Sequence, residues 1–147
     1  MRIGIYGGSF DPVHFGHLLL AESAREQLQL DTVLFMPAAV APHKQQDHTT
    51  SPAVRLEMIN LAIGGHSGFE VSDLEMKRGG VSYTVDTLLA LSEQYAEAQL
   101  VLLVGADTLV DMPNWKDPEK IVTLAHIAVV DRTGSQLDDK PLPDAEV

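Results

Sequence analysis

The stretch Gly7-Gly8-Ser9-Phe10-Asp11-Pro12-Val13-His14-Phe15-Gly16-His17 decides the fold, because it joins an apolar strand to an amphipathic helix through two glycines. Upstream, Arg2-Ile3-Gly4-Ile5-Tyr6 has the short apolar character of a buried strand; downstream, Leu20, Ala21, Ala24 and Leu28 mark one face of a helix. Gly7 and Gly8 can take backbone angles closed to other residues and let a ligand approach the main chain. The unpaired N–H groups of the helix's first turn attract anions. A phosphate site is expected at this junction. His14 and His17 stand three apart and so share a helical face, with Gly16 between them leaving it unobstructed. On its own, a His-x-x-His pair also fits surface polarity or a metal site. Its place after a strand and a glycine turn, with Asp11-Pro12 punctuating the helix start, favours the phosphate reading. A phosphorus centre under in-line attack gathers charge on its equatorial oxygens, and such donors stabilise it without a covalent nucleophile.

The chain has 147 residues, enough for one domain with a real core. Its formal charge of −11 argues against a nucleic-acid polymer as partner, since that binding depends on a basic face that displaces counterions. A small phosphorylated ligand needs only a local positive site. The absence of cysteine removes disulfides, thiolate catalysis and the usual structural zinc sites, and fits a cytoplasmic protein. No apolar run approaches the ~20 residues needed to span a bilayer, so no membrane partner is expected.

From end to end, apolar strand-like runs alternate with helix-period segments, which argues for an α/β fold: a doubly wound parallel sheet of about five strands with helices on both faces. The domain is expected to span residues 1–134, with a flexible acidic tail over 135–147. Thr32-Val33-Leu34-Phe35-Met36 forms the second strand, closed by Pro37. The polar loop after it carries His43 and Lys44, and in such sheets the ligand crevice lies at this carboxyl edge. Ser51-Pro52 caps a helix with Leu56, Ile59 and Ile63 as its buried stripe, read as scaffold. Phe69-Glu70-Val71-Ser72 is a short third strand. Ser82-Tyr83-Thr84-Val85-Asp86-Thr87 opens another helix, with Val85, Leu88, Leu89 and Ser92 at helical spacing, and its start is a second anion-ready site. Ser82 or Thr84 as a simple cap is the alternative. Leu100-Val101-Leu102-Leu103-Val104 is an interior strand leading to Gly105-Ala106-Asp107, a second glycine turn expected to face the first. Trp115 stands in a polar, proline-flanked loop, where a large ring is expected to pack on something, either protein or ligand. Asp117-Pro118 starts a short helix, and Ile127-Ala128-Val129-Val130 is the fifth strand.

The eleven residues from Gly7 to His17 closely resemble the signature of the HxGH nucleotidyltransferases, and specifically of the bacterial nicotinate-nucleotide adenylyltransferases. The resemblance implies a Rossmann-like domain that moves the AMP part of ATP onto nicotinate mononucleotide, giving nicotinate adenine dinucleotide and pyrophosphate. It implies catalytic roles for His14, His17 and Lys44, the last within Pro42-His43-Lys44. ATP contacts are implied for Gly7, Gly8, Ser9, Phe10, His17, Gly105, Asp107 and Arg132, and mononucleotide contacts for Lys44, Tyr83, Thr84 and Trp115. Magnesium is implied as a cofactor held mainly by substrate phosphates, with no dedicated protein metal site. Two departures stand out. Thr133 replaces the proline of an Arg-Pro-Gly segment, and no Ile-Ser-Ser-Thr-x-Ile-Arg-like segment follows. The chain is therefore expected to lack a C-terminal part, to be a poor catalyst by itself, and to leave apolar surface open to cover by a partner chain or by a second copy in a homo-oligomer.

Three competing readings remain. Pantetheine-phosphate adenylyltransferases share the signature, but Ser82 to Thr87 and Trp115 argue against them. A non-catalytic nucleotide-binding fragment is the second. A dinucleotide-cofactor enzyme is the weakest, because the first turn lacks Gly-x-Gly-x-x-Gly and the second strand ends in Met36-Pro37 where a ribose-binding acid is expected.

Overall fold

Strand β1 (Arg2–Gly8) lies inside the sheet, flanked by partners that the apolar runs anticipate. The computed structural model describes residues 1–10, 12–39 and 51–130, together with the backbone of 137–138. Strands β2 (Thr32–Pro37), β3 (Phe69–Val71), β4 (Gln99–Gly105) and β5 (His126–Val130) join β1 in the order β3-β2-β1-β4-β5, all parallel. A two-residue β6 (Leu137–Asp138) pairs antiparallel with Val129 and Val130 and extends the sheet to six strands. The other residues of the expected tail, 135–136 and 139–147, lie outside the described residues.

Helix α1 (Phe15–Gln27) links β1 to β2, and α2 (Pro52–Ile63) precedes β3. Between β3 and β4 come α3 (Leu74–Arg78) and α4 (Thr84–Gln94). After β4, α5 (Ala106–Asp111), a 3-10 turn over Met112–Asn114 and α6 (Pro118–Leu124) lead to β5. Parallel strands are covered on both faces, so their residues are apolar without a break and sort by alternation. Val33, Phe35, Val101 and Leu103 point to one core with Ala21 and Ala24 of α1 and Ile59 and Ile63 of α2. Leu34, Met36, Leu100, Leu102 and Val104 point to the other, with Val85, Leu88 and Leu91 of α4 and Ile121 of α6.

Two helical stripes differ from the expectation. On α2 the buried positions are Arg55, Ile59 and Ile63, with Leu56 only half-buried. On α4 they are Val85, Thr87, Leu88 and Leu91, while Leu89 is 39% exposed. In each case the register that meets the sheet takes in a polar side chain that has hydrogen-bonding partners. Helices α3 and α5, at five and six residues, are too short to leave a periodic signature. Among the described residues, no helix is long and apolar enough to cross a membrane.

The feature that positions the site is a split in the sheet. The β1–β4 ladder ends at Ile5 and Leu102, yet β1 continues to Gly8 and β4 to Gly105. Strand order reverses between these two neighbours, and their carboxyl ends diverge into a crevice of the kind that binds ligands in open α/β sheets.

Candidate functional site

Gly7 and Gly8 are the last residues of β1, still paired with Met36 and Pro37 of β2. Neither uses the left-handed conformation that is open to glycine. The turn instead takes it at Phe10, with φ 48°. A bulky residue there is strained, and surrounding packing must hold it in place. Phe10 is buried against Tyr6 at 5.2 Å, Phe35 at 5.6 Å and the His17 ring at 4.9 Å between centroids. The ring of Phe10, for which an ATP contact is expected from the sequence, is thus committed to the core. Gly7 and Gly8 are exposed and leave the main chain bare toward the crevice. Together with Tyr6, Ser9, Pro12, His14 and His17 they line a cleft of about 300 Å³. Burial pushes the Tyr6 phenol up to about 12, so it stays neutral beneath the turn.

His14 is the N-cap of α1 and His17 sits in its first turn. The His14 backbone N–H donates to Nδ1 of His17 at 3.0 Å. An acceptor Nδ1 on a neutral imidazole leaves the proton on Nε2, so His17 presents one N–H donor. Burial, reinforced by the neighbouring His14, lowers the His17 pKa to about 4, so the ring is neutral at physiological pH. The two rings stack with centroids 3.8 Å apart and 24° between planes. Gly16 serves this stack directly: a Cβ there would lie 3.0 Å from Cε1 of His14 and press on its ring. The expected face shared by the two histidines is present, built by a cap and a first turn.

The second anion-ready site lies at the start of α4. Tyr83 is its N-cap and makes no side-chain capping bond; Thr84 is the first helical residue. Ser82, weighed as a simple cap, is buried, and its Oγ accepts from the Ala39 backbone N–H at 3.2 Å. Lys116 lies beside this start, with Nζ 3.1 Å from Oδ2 of Asp86 and 5.0 Å from the centre of the Tyr83 ring. The structure thereby brings the loop of Trp115 to the start of α4. The Trp115 ring is half-buried and packs against the core on that side of the sheet, so part of it already has a protein partner. Behind the helix start, the Thr87 hydroxyl donates to Oε2 of Glu75 at 2.6 Å and accepts from Arg78 at 2.8 Å. Burial raises the Glu75 pKa.

Gly105, the N-cap of α5, and the exposed Asp107 in its first turn stand at the carboxyl end of β4, across the split from the first glycine turn. A Cβ on Gly105 would meet nothing within 4 Å, so the protein's own packing does not demand a glycine there. Asp11, Lys44 and Arg132 lie outside the described residues. Among the described residues, no group of three or more His, Asp or Glu side chains could hold a metal ion.

Sequence reasoning missed Lys116, Glu75 and Arg55. The first two carry no periodic signal. Arg55 did: it stands four and eight residues before Ile59 and Ile63, on the inward stripe.

The family model for cytidylyltransferase-like proteins matches residues 5–146. A curated relative from Thermomicrobium roseum, named as a nicotinate-nucleotide adenylyltransferase, is 46% identical over 137 residues, covering 93% of this chain and 64% of its own length. One of the same name from Exiguobacterium sibiricum is 46% identical over 136 residues, covering 92% of this chain and 71% of its own. Among solved structures, a nicotinate-nucleotide adenylyltransferase from Vibrio parahaemolyticus superposes with a TM-score of 0.76 at 22% identity, over 89% of this chain and 77% of that one. The nicotinic acid mononucleotide adenylyltransferase of Plasmodium falciparum, complexed with NaAD, gives 0.74 at 23% identity, over 86% and 62%. At that identity the superpositions establish the fold, while the sequence relatives establish the kinship. The chain belongs to the cytidylyltransferase-like family and, within it, to the nicotinate-nucleotide adenylyltransferases.

Proposed function

We propose that this chain carries the site at which the adenylyl group of ATP passes to the phosphate of nicotinate mononucleotide, releasing pyrophosphate. The observation that carries the reading is His17: a neutral ring with its remaining proton on Nε2, held at a glycine turn in the split between β1 and β4. In the reaction an oxygen of the mononucleotide phosphate forms a bond to the α-phosphorus of ATP, and the bond from that phosphorus to the pyrophosphate oxygen breaks. The attacking phosphate is already an anion, so no general base is needed. Charge on the α-phosphate oxygens is met by the His17 Nε2–H, by the ring of His14 and by main-chain N–H groups, which is positioning and electrostatic stabilisation. Gly105 and Asp107 are assigned to the nucleoside of ATP. Magnesium would neutralise the triphosphate charge and would arrive on its oxygens.

The acceptor site in this reading is the start of α4. A helix N-terminus prefers a carboxylate to a neutral amide, and the Lys116 ammonium, paired with Asp86 of the first turn, stands beside it as a further donor. Nicotinate, with its ring carboxylate near Tyr83 and Thr84 and its ring against the open part of Trp115, satisfies both. A cytoplasmic location goes with ATP as substrate. Pyrophosphate release should be measured with ATP and, in turn, nicotinate mononucleotide, its nicotinamide counterpart and phosphopantetheine. The highest kcat/KM is expected with nicotinate mononucleotide. Equal values for the two pyridine nucleotides would remove the carboxylate site, and a preference for phosphopantetheine would replace the acceptor.

A further inference from the structure

Arg55 is fully buried, on the inward stripe of a helix whose other buried positions are Ile59 and Ile63. Its Nη1 donates to the Ser9 carbonyl at 2.7 Å and to the Ala38 carbonyl at 2.8 Å, and its Nη2 to the Ala39 carbonyl at 3.3 Å. Ser9 belongs to the turn after β1, and Ala38 and Ala39 to the segment leaving β2. The Ala39 N–H in turn donates to Oγ of Ser82, the residue before the Tyr83 cap of α4. One guanidinium therefore joins the glycine turn, through Ala39 and Ser82, to the start of α4. Stability alone is a weak reason for such a residue. Removing a guanidinium from water is costly, and a packed hydrocarbon in its place is often as stable. What a hydrocarbon cannot do is hold three carbonyls from two segments in one planar fork, and an ammonium group lacks that fork as well.

We infer that Arg55 is a positioning residue that fixes the separation and orientation of the two substrate sites and couples their occupancy. The inference rests on the assignment of ATP to the glycine turn and of the mononucleotide to the start of α4. Binding at Ser9 loads one carbonyl of the fork, and the guanidinium transmits that constraint to Ala39 and Ser82. Its charge also lies directly under the turn that receives the triphosphate, in a water-poor setting where it acts with little screening.

The test uses Arg55→Lys and Arg55→Gln in the full chain, with melting temperatures and calorimetric affinities for a non-hydrolysable ATP analogue and for nicotinate mononucleotide, each alone and with the other present. Arg55→Lys keeps the charge and loses the fork, so the mutual enhancement of the two ligands should fall by about tenfold, within the usual range of coupling between sites. Arg55→Gln should in addition weaken the ATP analogue by itself. A lowered melting temperature with both affinities and their coupling unchanged would make Arg55 scaffold and overturn the inference. The wild-type protein supplies an arm independent of variant folding. Saturating ATP analogue should slow hydrogen exchange at the Ala39 amide, and unchanged exchange there would also overturn it. Failure of the functional reading shows elsewhere: wild type would bind no nicotinate mononucleotide, which would end the two-site form of this inference whatever the variants do.

Discussion

The glycine turn and its histidines occupy eleven consecutive residues, whereas the start of α4 draws on Ala39, Ser82 to Thr84, Asp86, Trp115 and Lys116. The histidines of the first site are arranged by contacts of short sequence range, while its turn is anchored from outside by Arg55, 46 residues from Ser9. A capping bond runs from His14 to His17, Gly16 makes room for a ring, and Phe10 anchors the turn from below. The second is held by contacts across 43 residues at Ala39–Ser82 and 30 at Asp86–Lys116. In the proposed function, a chemistry that tolerates little displacement falls to the local device and acceptor recognition to the assembled one. Altering the first should therefore change rate, and altering the second should change which acceptor binds.

The largest expected effect is that of His17→Ala, which should lower turnover by roughly 10²–10³-fold, as for other donors aimed at developing charge, while leaving the fold intact by circular dichroism. Normal turnover would break the assignment of chemistry to the first site. Trp115→Ala comes next. It should weaken the pyridine nucleotide and spare ATP, with a stacking contribution of ~0.5–1.5 kcal/mol beyond area burial. Equal weakening of both ligands would show that the ring serves the core alone, and the contrast between the two sites would blur.

The titration of His17 sharpens the comparison without a substitution. In the ligand-free protein its ring resonances should titrate near pH 4. Folding lowers this pKa from 6.5, so the stability it contributes is complete above pH 6.5 and is lost as pH falls from there through about 4. Bound ATP favours the protonated ring. Its binding should raise the midpoint, and its affinity should grow as pH drops toward that range. A free-protein midpoint at or above 6.5 would mean that the ring is solvated and not held as described. Lys116→Ala should have the smallest effect on stability, under about 1 kcal/mol, because its ion pair with Asp86 is half exposed. A loss of mononucleotide affinity larger than the loss of stability would place Lys116 in the acceptor site.

The contrast also explains what was legible in the sequence. The parallel strands were readable because burial on both faces leaves continuous apolar runs at Thr32–Met36, Leu100–Val104 and Ile127–Val130. The first site was readable because its parts are neighbours in the chain. The α4 start could be found as a helix N-terminus, but Lys116, Glu75 and the Ala39–Ser82 bond depend on which loops meet in space, and no local spacing encodes that. The backbone of Phe10 was illegible for a different reason. The glycines nearby are free to take an unusual angle, yet the residue that takes it is the phenylalanine, packed against Tyr6 and Phe35. Arg55 was a legible anomaly read as ordinary scaffold, because Leu56 beside it offered an apolar stripe one register away.

The bond from the His14 N–H to Nδ1 of His17 has a consequence for coordination chemistry. A histidine pair three residues apart invites a transition-metal ion, but here Nδ1 of His17 already has its lone pair engaged. The rings are nearly parallel and 3.8 Å apart, and imidazole lone pairs lie in the ring plane, so those remaining do not converge on one point. Chelation would require unstacking the rings and opening the first turn of α1. The arrangement that leaves His17 an Nε2–H donor at the glycine turn also shields the pair from capture by nickel, copper or zinc.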